Sequence, residues 1–531
     1  MFDTSHTRAY AGSSTQIKTV MTLSIALDRR RFLTGSTALG LAAGLSPVFP
    51  RDLAYAQAPP TQIPPAKWGE LADKLTGPLL RQKDTPFDRF VAPYNLAYDK
   101  RELYASGIAM CVNSADVVAS INWARDNKVP LVARSGGHSY AGYSMTNGLM
   151  IDLATFRGAS WDAARQTVTV TGGARNSDVA AFLKAHNRTI THGRCPTVGT
   201  AGFLLGGGIG FNMRMHGVGS DHLRASEIAT ADGKLLPLAP KQNDDLFWAI
   251  RGCGGGNYGI NTSFTIETHP APPLTVFRYT WEGTRAEMAG IAYDLMNSLT
   301  HAPDEIGSRF SITAPNPVRG ITKFGVNIIG QNRGTIDGTE RTLRPAIQTA
   351  RTRETHYLPY WPAQDFLLEA SKPFYFRERS AFLTKPLTLE AFEQATEQLG
   401  KWLGTDDSAQ RYAHEPQLAD IRFFQTGGKI NRVAAGATAF VHRDSVWLMD
   451  IGLPWTAEDP PERVDANIAW QNQFFEQMWP YSNRHAYQNF VDAALKDPMP
   501  AYYHTNLDRL RKIKRLHDPA NLFNFPQSIP L

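Results

Sequence analysis

The chain has 531 residues, of which 42% are hydrophobic and 20% are charged, and its formal net charge is +6. This composition is ordinary for a globular protein of two or three domains and excludes a largely disordered chain. No run of 18 or more apolar residues predicts a membrane span, and no cluster of basic and aromatic residues indicates nucleic-acid binding.

Residues 1–56 have the layout of a twin-arginine export signal. Arginines at 29–31 precede a Phe-Leu pair, a mildly apolar Gly/Ala-rich segment and an Ala-x-Ala cleavage site at 54–56. A buried N-terminal helix is the alternative, and Met21 is an alternative start. Because this route exports folded chains, it suits a protein that acquires its cofactor before export. We predict an exported protein, periplasmic or secreted, with a Pro-rich linker at 57–66.

Between about residues 100 and 270, short apolar runs alternate with helix-like segments. The runs that predict strands lie at 107–112, 129–133, 149–153, 167–173 and 260–268. The segments with helical spacing of apolar residues lie at 114–128, 176–186 and 244–250. This α+β pattern with Gly-rich connections predicts a first domain over 67–272.

The texture changes after about residue 275, where the predicted strands become longer and the helices more charged. Strands are predicted at 322–330, 437–443 and 445–453, and a helix at 387–403. We predict a second domain over 273–480, with a sheet backed by helices. The tail at 481–531 has a helical, aromatic character that begins with the segment 485–495.

Two Gly-rich segments have the character of cofactor loops. The first, Arg134-Ser135-Gly136-Gly137-His138-Ser139, follows a predicted strand. A dinucleotide pyrophosphate needs several inward-pointing backbone N–H groups, which glycines supply because they lack a Cβ that would clash. A plain turn is the alternative. The second segment, Gly206-Gly207-Gly208-Ile209-Gly210, permits close approach of a flat ring or a ribityl chain.

A third Gly-rich segment, 251–262, contains the pattern G-x-G-x-x-G at Gly254, Gly256 and Gly259. The NAD-binding fingerprint requires a strand before this pattern and a helix after it. Here a predicted helix precedes it and a predicted strand follows, so we exclude an NAD site. The sequence also lacks a G-x-x-x-x-G-K-[ST] loop, which excludes a nucleotide triphosphatase of that type.

Two side chains in or near these loops are chemically unusual. His138 places a bulky imidazole where small residues are expected, and Cys195 directly precedes a proline. Each has a plain alternative, as a hydrogen-bonding loop histidine and as an inert buried thiol. Further ligands at useful spacing are lacking, so no metal is predicted. With only Cys111 and Cys253 in addition, the fold does not depend on disulfides, and at least one thiol stays free.

The chain from about residue 67 to 531 resembles flavoproteins of the vanillyl-alcohol-oxidase class with a PCMH-type FAD domain. Within that class it is similar to the berberine-bridge-enzyme-like oxidases, which carry bicovalent FAD. The matching segments are RSGGHSY (134–140), GRCPTVGTAG (193–202), LFWAIRGCGGGNYGINTSF (246–264) and the C-terminal DPANLFNFPQSI (518–529). The resemblance implies an α+β fold. Two α/β subdomains bind FAD, the C-terminal tail completes them, and a substrate domain covers the isoalloxazine ring with an antiparallel sheet.

The resemblance also assigns the cofactor residues. In the family, the matching histidine bonds the flavin 8α-methyl group and the matching cysteine bonds C6, which correspond to His138 and Cys195. The other positions implied at the FAD site are Arg134, Ser135, Gly136, Gly137, Ser139, Tyr140, Val198, Gly199, Gly202, Gly206, Gly208, Gly210, Asn257, Gly259, Ile260 and Asn489.

Three residues are candidates for catalysis. By resemblance, Tyr487 of a Tyr-x-Asn block is the base that takes the proton of the substrate hydroxyl, with a core aromatic residue as the alternative. His216 matches a position where relatives often carry a second tyrosine. Asp450 is a carboxylate in an apolar predicted strand, for which a catalytic and a salt-bridged structural role are equally open.

Two positions depart from the family pattern, and a third distinguishes oxidases from dehydrogenases within the family. Phe203 stands where plant members often have a histidine near the flavin, and Cys253 replaces a common glycine or alanine. Val198 matches the choice that accompanies oxygen reactivity, whereas leucine accompanies dehydrogenase behaviour.

The sequence therefore predicts an FAD-dependent oxidase that acts on a small-molecule alcohol or a carbohydrate hydroxyl or hemiacetal and reduces O2 to H2O2. The alternatives are a dehydrogenase with another electron acceptor and a flavin-binding protein without turnover. Tryptophans of the second domain are candidates for sugar stacking or for core positions, namely Trp281, Trp361, Trp402, Trp447 and Trp455.

Overall fold

The first part of the described chain forms two main sheets with helices packed on them. The computed structural model describes residues 63–369, 372–406, 410–412, 415–416 and 418–531, so the predicted export signal and residues 57–62 of the linker lie outside the described residues. The strands are β1 (Leu79–Leu80), β2 (Gly107–Met110), β3 (Leu131–Arg134), β4 (Leu149–Asp152), β5 (Ala159–Asp162), β6 (Thr167–Thr171), β7 (Arg188–Thr189), β8 (Leu223–Thr230), β9 (Leu235–Leu238), β10 (Gly259–Glu267) and β11 (His269–Pro270). The helices are α1 (Pro65–Ala72), α2 (Phe87–Val91), α3 (Ser114–Asp126), α4 (Asn176–Lys184), α5 (Thr200–Leu205), α6 (Met213–His216) and α7 (Asp244–Ala249).

The order of the strands explains where the Gly-rich loops meet. One sheet has the order β1-β2-β4-β3, with β4 parallel to β2 and β3 and with β1 antiparallel to β2. The other has the order β5-β6-β10-β8-β9 and is antiparallel throughout. The loop after β3 and the loop before β10 therefore adjoin strands of different sheets. Strand β7 pairs with β11 in a separate two-stranded sheet.

The second part contains a seven-stranded antiparallel sheet of order β15-β12-β14-β13-β19-β20-β16. Its strands are β12 (Leu274–Gly283), β13 (Ile306–Thr313), β14 (Phe324–Asn332), β15 (Thr352–Leu358), β16 (Tyr375–Leu383), β19 (Asp420–Gln425) and β20 (Trp447–Trp455), while β17 (Gln410–Tyr412) and β18 (Glu415–Pro416) pair with each other. The helices are α8 (Arg285–Thr300), α9 (Ile336–Ile347), α10 (Tyr360–Leu367), α11 (Leu389–Leu399) and α12 (Pro461–Met478).

Helices cover one face of this sheet, as predicted. Buried side chains of α8, α9, α11 and α12 form one continuous core with the sheet. The helices begin where the sequence supplies a cap: Thr284 and Glu287 make a reciprocal capping box at α8, and the Thr388 side chain accepts a hydrogen bond at the start of α11. The domain boundaries at 272 and 480 stay a prediction.

The C-terminal tail is fastened to the first part of the chain. It contains α13 (Pro498–Tyr503) and α14 (Leu507–His517). The fully buried Lys514 ammonium donates hydrogen bonds to the Asn257 and Phe523 carbonyls and to the Asp518 carboxylate, at 2.7–2.8 Å. This paired charge joins the tail to the third Gly-rich segment.

One predicted strand is wrong, and the first segment of the tail is not helical, although α13 and α14 give the tail its helical character further on. Residues 437–443 form no strand, because the Phe440 and Ala439 N–H groups donate to carbonyls of Arg251 and Trp248 rather than to a neighbouring strand. Residues 485–495 form no helix, because their backbone groups bond across to β16 and α13. Both segments lie along the seam between the two parts of the chain, where backbone groups find partners outside regular ladders.

Candidate active site

Two loops from separate parts of the fold touch at their glycines. A Cβ added at Gly136 would lie 2.2 Å from the Gly199 nitrogen, and one at Gly199 would lie 2.4 Å from the Gly136 nitrogen. Gly137 has a φ of +71°, a conformation that favours glycine. Glycine at these positions therefore lets the segment after β3 and the segment before α5 come into direct backbone contact.

This contact brings His138 and Cys195 to one place. His138 Nε2 lies 2.9 Å from the Thr197 hydroxyl oxygen, and Cys195 Sγ lies 3.5 Å from the same oxygen. Both side chains line one cavity. All three cysteines of the chain are free, and burial raises the pKa of the Cys253 thiol to about 12. Cys253 is therefore an inert core residue.

The His138 imidazole is held neutral. Burial, reinforced by the nearby Arg175 and Arg134 guanidinium groups, lowers its pKa to about 3. Its ring stacks on Tyr94, with centroids 3.8 Å apart. A neutral imidazole keeps one unprotonated nitrogen, so this side chain can act as a nucleophile.

The cavity has a volume of about 360 Å³ and runs from the Gly-rich loops to the seven-stranded sheet. The predicted site residues that line it are Ser135, Gly136, Gly137, His138, Ser139, Tyr140, Cys195, Val198, Gly199, Gly202, Gly210, Gly259, Ile260, Tyr487 and Asn489. The chain here fits an elongated dinucleotide with a flat ring: its glycine-lined loops leave room beside the imidazole and the thiol, and Gly202 has no neighbour within 4 Å of an added Cβ.

Six predicted site residues do not line the cavity, and four of them belong to the loops behind it. Arg134 donates hydrogen bonds to the Val91 and Ala92 carbonyls, and Asn257 bonds the Cys253 carbonyl and the Ile529 N–H group. These two residues support loops instead of facing the cavity. Gly206 also lies outside the cavity lining, and because it has no side chain it leaves room for the Asn489 amide. Gly208 contributes its N–H group, as described next.

Tyr487 reaches the cavity with its hydroxyl held by two donors. The Gly208 N–H group donates to its oxygen at 3.1 Å, and the Asn489 amide lies 3.2 Å from it. Burial raises the pKa of Tyr487 to about 12, although these donors oppose the shift. The phenol is therefore placed and oriented for proton transfer, but it is protonated near neutral pH.

The structure does not bring His216 or Asp450 into the cavity wall. His216 stacks on His269 with centroids 3.9 Å apart, and burial lowers its pKa to about 4. Asp450 lies behind Arg422, with 3.5 Å between Asp450 Oδ2 and Arg422 Nη1. Burial, reinforced by the Glu378 carboxylate, raises the pKa of Asp450 well above its ordinary value. Both residues are thus parts of buried clusters next to the site.

Sequence reasoning missed several residues that face the cavity from the second part of the chain. Arg422 lines it and is held from behind by Glu378 and by Asp420 at 3.0 Å. Phe376 and Phe490 flank the Tyr140 ring, with centroid distances of 5.0 and 5.3 Å. The alternation of Arg422 and Phe424 along β19 was the available signal, because residues two apart on a strand share a face.

The tryptophans of the second part do not line the cavity in the described structure. Trp281, Trp402 and Trp447 are buried in the core between sheet and helices. Trp361 stacks on His192, and Trp455 packs near Tyr375. Sugar stacking by these residues is therefore not supported, and the aromatic surface of the cavity comes from tyrosines and phenylalanines.

Comparisons with known proteins agree with this geometry. Residues 105–239 match the FAD binding domain model, and residues 486–530 match the model described as berberine and berberine like. The chain is 29% identical to the uncharacterized FAD-linked oxidoreductase YgaK of Bacillus subtilis, covering 86% of this chain and 97% of that protein. It is 28% identical to the carbohydrate oxidase of Microdochium nivale, covering 83% and 90%.

The fold is likewise similar to solved structures. The structure of Physcomitrella patens BBE-like 1 matches with a TM-score of 0.76 and 26% identity, covering 87% of this chain and 99% of that chain. Within the part of the chain that the structure describes, no helix is long and apolar enough to cross a membrane. The same residues hold no cluster of three or more His, Cys, Asp or Glu side chains suited to a metal ion.

Proposed function

Because the chain belongs to the FAD-linked oxidoreductases of the berberine-bridge-enzyme-like family, we propose that it is an oxidase with bicovalent FAD. FAD is bonded through His138 and Cys195, the substrate is a small-molecule alcohol or a carbohydrate hydroxyl or hemiacetal, and O2 is reduced to H2O2. One observation carries the proposal: an imidazole held neutral and a free thiol, which both contact the Thr197 hydroxyl, line the cavity that Tyr487 also lines.

The residues of this chain divide the work of the reaction. FAD, when bound, supplies the acceptor for a hydride from the substrate carbon. Tyr487 orients the substrate hydroxyl and takes its proton at the phenolic oxygen, and the Gly208 N–H and Asn489 amide groups stabilise the charge that develops there. The aromatic side chains Tyr140, Phe376 and Phe490 exclude water from the reacting groups.

The choice of oxidase over dehydrogenase is supported by Val198, which lines the cavity, and by relatives that are named as oxidases. Export by the twin-arginine route is proposed from residues 1–56, which lie outside the described residues. Replacement of Arg29 and Arg30 by lysine is expected to retain the folded, flavin-loaded protein in the cytoplasm. Cell fractionation checks this, and normal export of the double variant would contradict it.

One experiment tests the proposed activity in two steps. Purified protein is mixed anaerobically with alcohols and oligosaccharides, and the flavin absorbance is followed before and after air is admitted. We expect bleaching by at least one substrate, rapid return of the colour in air, and one H2O2 for each substrate oxidised. Persistent bleaching in air would favour the dehydrogenase, and absence of bleaching throughout the panel would favour a binding protein.

A further inference from the structure

The Thr197 hydroxyl contacts both proposed attachment residues. It lies 2.9 Å from His138 Nε2 and 3.5 Å from Cys195 Sγ. The two side chains come from loops 57 residues apart in the sequence, so their common partner links the two loops. A hydroxyl has one donor and two acceptor positions, so it can accept from one of these side chains while it donates to the other.

The position of this hydroxyl is fixed by the start of α4. The Asn176 and Ser177 N–H groups donate to the Val198 and Pro196 carbonyls, each at 3.0 Å, and the Asn176 amide donates to the Cys195 carbonyl at 3.1 Å. These bonds hold the segment 195–198 on both sides of Thr197. The hydroxyl is thus placed by the backbone before any cofactor binds, as a positioning group requires.

One arrangement of the two hydrogen bonds suits both nucleophiles. The neutral His138 then carries its proton on Nε2 and donates a hydrogen bond to the Thr197 hydroxyl oxygen, which leaves Nδ1 with a free lone pair. The hydroxyl then donates its own hydrogen to the Cys195 sulfur, which holds this sulfur in place as the second nucleophile. One hydroxyl in this arrangement prepares both nucleophiles.

We propose that Thr197 is the positioning residue for covalent FAD attachment, and that its hydroxyl serves both bonds. This inference rests on the proposed bicovalent flavin. At His138, a C–N bond replaces one C–H bond of the flavin methyl group and the imidazole N–H bond. At Cys195, a C–S bond replaces one ring C–H bond and the S–H bond. Each attachment releases two electrons and two protons, which reduce one dioxygen to H2O2. Thr197 keeps its own proton throughout and acts by accepting the hydrogen bond from His138 Nε2–H.

The experiment follows each bond separately in the full-length chain. The variant C195A reports only the bond to His138, and H138A reports only the bond to Cys195. Each parent and its Thr197→Val derivative is produced in riboflavin-limited cells and mixed with FAD in air. Covalent adduct is then measured over time by mass spectrometry of the denatured protein. We expect Thr197→Val to slow both attachments about tenfold, the size that loss of one hydrogen bond produces.

Two further variants separate this role from a general packing defect. Thr197→Ser keeps the hydroxyl and is expected to restore both rates. Thr200→Val removes a buried hydroxyl of the same segment that has no hydrogen-bond partner, and we expect it to leave both rates unchanged. Unchanged rates in Thr197→Val, slowing in only one parent, or failure of serine to restore attachment would overturn the proposal. Absence of adduct in the parents themselves would instead refute the bicovalent flavin.

Discussion

At the scale of single residues, Tyr487 combines a buried phenol with two hydrogen-bond donors to its oxygen. Since burial raises its pKa to about 12, the phenolate fraction below that value increases tenfold with each pH unit. If the phenolate takes the substrate proton, flavin bleaching must accelerate as the pH rises. Tyr487→Phe should slow bleaching by roughly a hundredfold to ten-thousandfold and abolish this pH dependence, as measured by anaerobic stopped flow.

Tyr503→Phe provides the matched control for that variant. Tyr503 is a fully buried tyrosine whose hydroxyl donates to the Cys253 carbonyl at 2.7 Å, and it does not belong to the cavity lining. We expect its loss to lower stability by about 1 kcal/mol and to leave the pH profile of bleaching unchanged. A Tyr487→Phe enzyme with the rate and pH profile of the parent would remove Tyr487 from the chemistry.

Val198 offers a second test at the residue scale. Its side chain lines the cavity, so Val198→Leu inserts one additional methylene into the space that O2 must enter. An added methylene that costs about 1.4 kcal/mol at the transition state for the oxygen reaction slows reoxidation of the flavin about tenfold. Stopped-flow mixing of the reduced protein with air-saturated buffer measures this rate. Bleaching by substrate in the same variant is the internal control and should stay within about twofold of the parent's, whereas equal slowing of both steps would contradict a specific effect on oxygen.

The sequence predicts the unusual side chains of the site better than it predicts the residues that contact them. His138 and Cys195 were recognisable because each is chemically out of place beside glycines. Thr197 was not, because a threonine hydroxyl has no distinctive spacing and its two partners are defined only when the loops meet. The direction of a side chain is equally hidden in the sequence, which is why His216 and Asp450 were predicted in the site but lie in clusters behind it.

At the scale of elements, the contact between the loop after β3 and the loop before α5 forms the candidate site. Gly136→Ala would place a methyl group 2.2 Å from the Gly199 nitrogen, a backbone atom that cannot move aside alone. Separation of the loops would separate His138 from Cys195, so we expect loss of most bound FAD and of covalent adduct. Overpacking of this kind costs about 1–3 kcal/mol. Flavin content per protein, from absorbance before and after denaturation, checks the prediction.

Gly290→Ala in α8 is the control for that substitution. A Cβ at Gly290 has no neighbour within 4 Å, and alanine favours a helix, so FAD content should equal that of the parent. Full FAD content in Gly136→Ala would show that the loops tolerate separation. In that case the glycine contact would not be what assembles the site.

Elements with clear periodicity were predictable, and the segments along the seam were not. The helices α3, α4, α7 and α11 and the strands β2, β4 and β6 fall within segments where the apolar spacing predicts them, and β10 and β20 overlap their predicted segments with shifts of one and two residues. Residues 437–443 and 485–495 have strand-like or helical composition, but their backbone groups bond to other segments of the chain. These partners are distant in sequence, so no local pattern records them.

At the scale of the whole molecule, composition indicated two or three domains but not how their sheets are ordered. The α+β class follows from the alternation of short strands and helices. The order of the seven-stranded sheet places β19 between β13 and β20, although β13 lies far away in the chain, and this brings Arg422 and Phe424 to the cavity. Such pairing depends on packing between residues that are distant in the chain, and the local spacing of apolar residues does not indicate it.

Buried imidazoles make the stability of the whole protein depend on pH. Within the described residues, the pKa is lowered for His138, His192, His216, His222, His269, His442 and His485. Burial is the leading cause at each, because a charged imidazole loses its hydration there. Even if His138 is bonded to FAD, six neutral histidines remain that the unfolded chain protonates more readily.

The sign of the effect follows from this difference in proton uptake. The unfolded chain binds more protons below pH 6.5, the ordinary value, so the free energy of unfolding falls as the pH decreases toward the lowered pKa values of about 4 at His216 and about 3 at His269. Each imidazole contributes up to about 1.4 kcal/mol per pH unit in this window. Urea midpoints measured stepwise from neutral to acid pH should therefore decline steeply, whereas a flat profile would contradict the buried neutral state.

His442→Gln isolates one of these contributions. His442 is fully buried, and its Nε2 lies 3.2 Å from the Gln488 side-chain oxygen, a position that the glutamine amide nitrogen can occupy without titrating. We expect the decline of stability with acid to become shallower by up to about 1.4 kcal/mol per pH unit. The matched replacement of the exposed His301 by glutamine should leave the slope unchanged. An unchanged slope in His442→Gln would show that this imidazole is protonated in the folded protein, contrary to the burial that lowers its pKa.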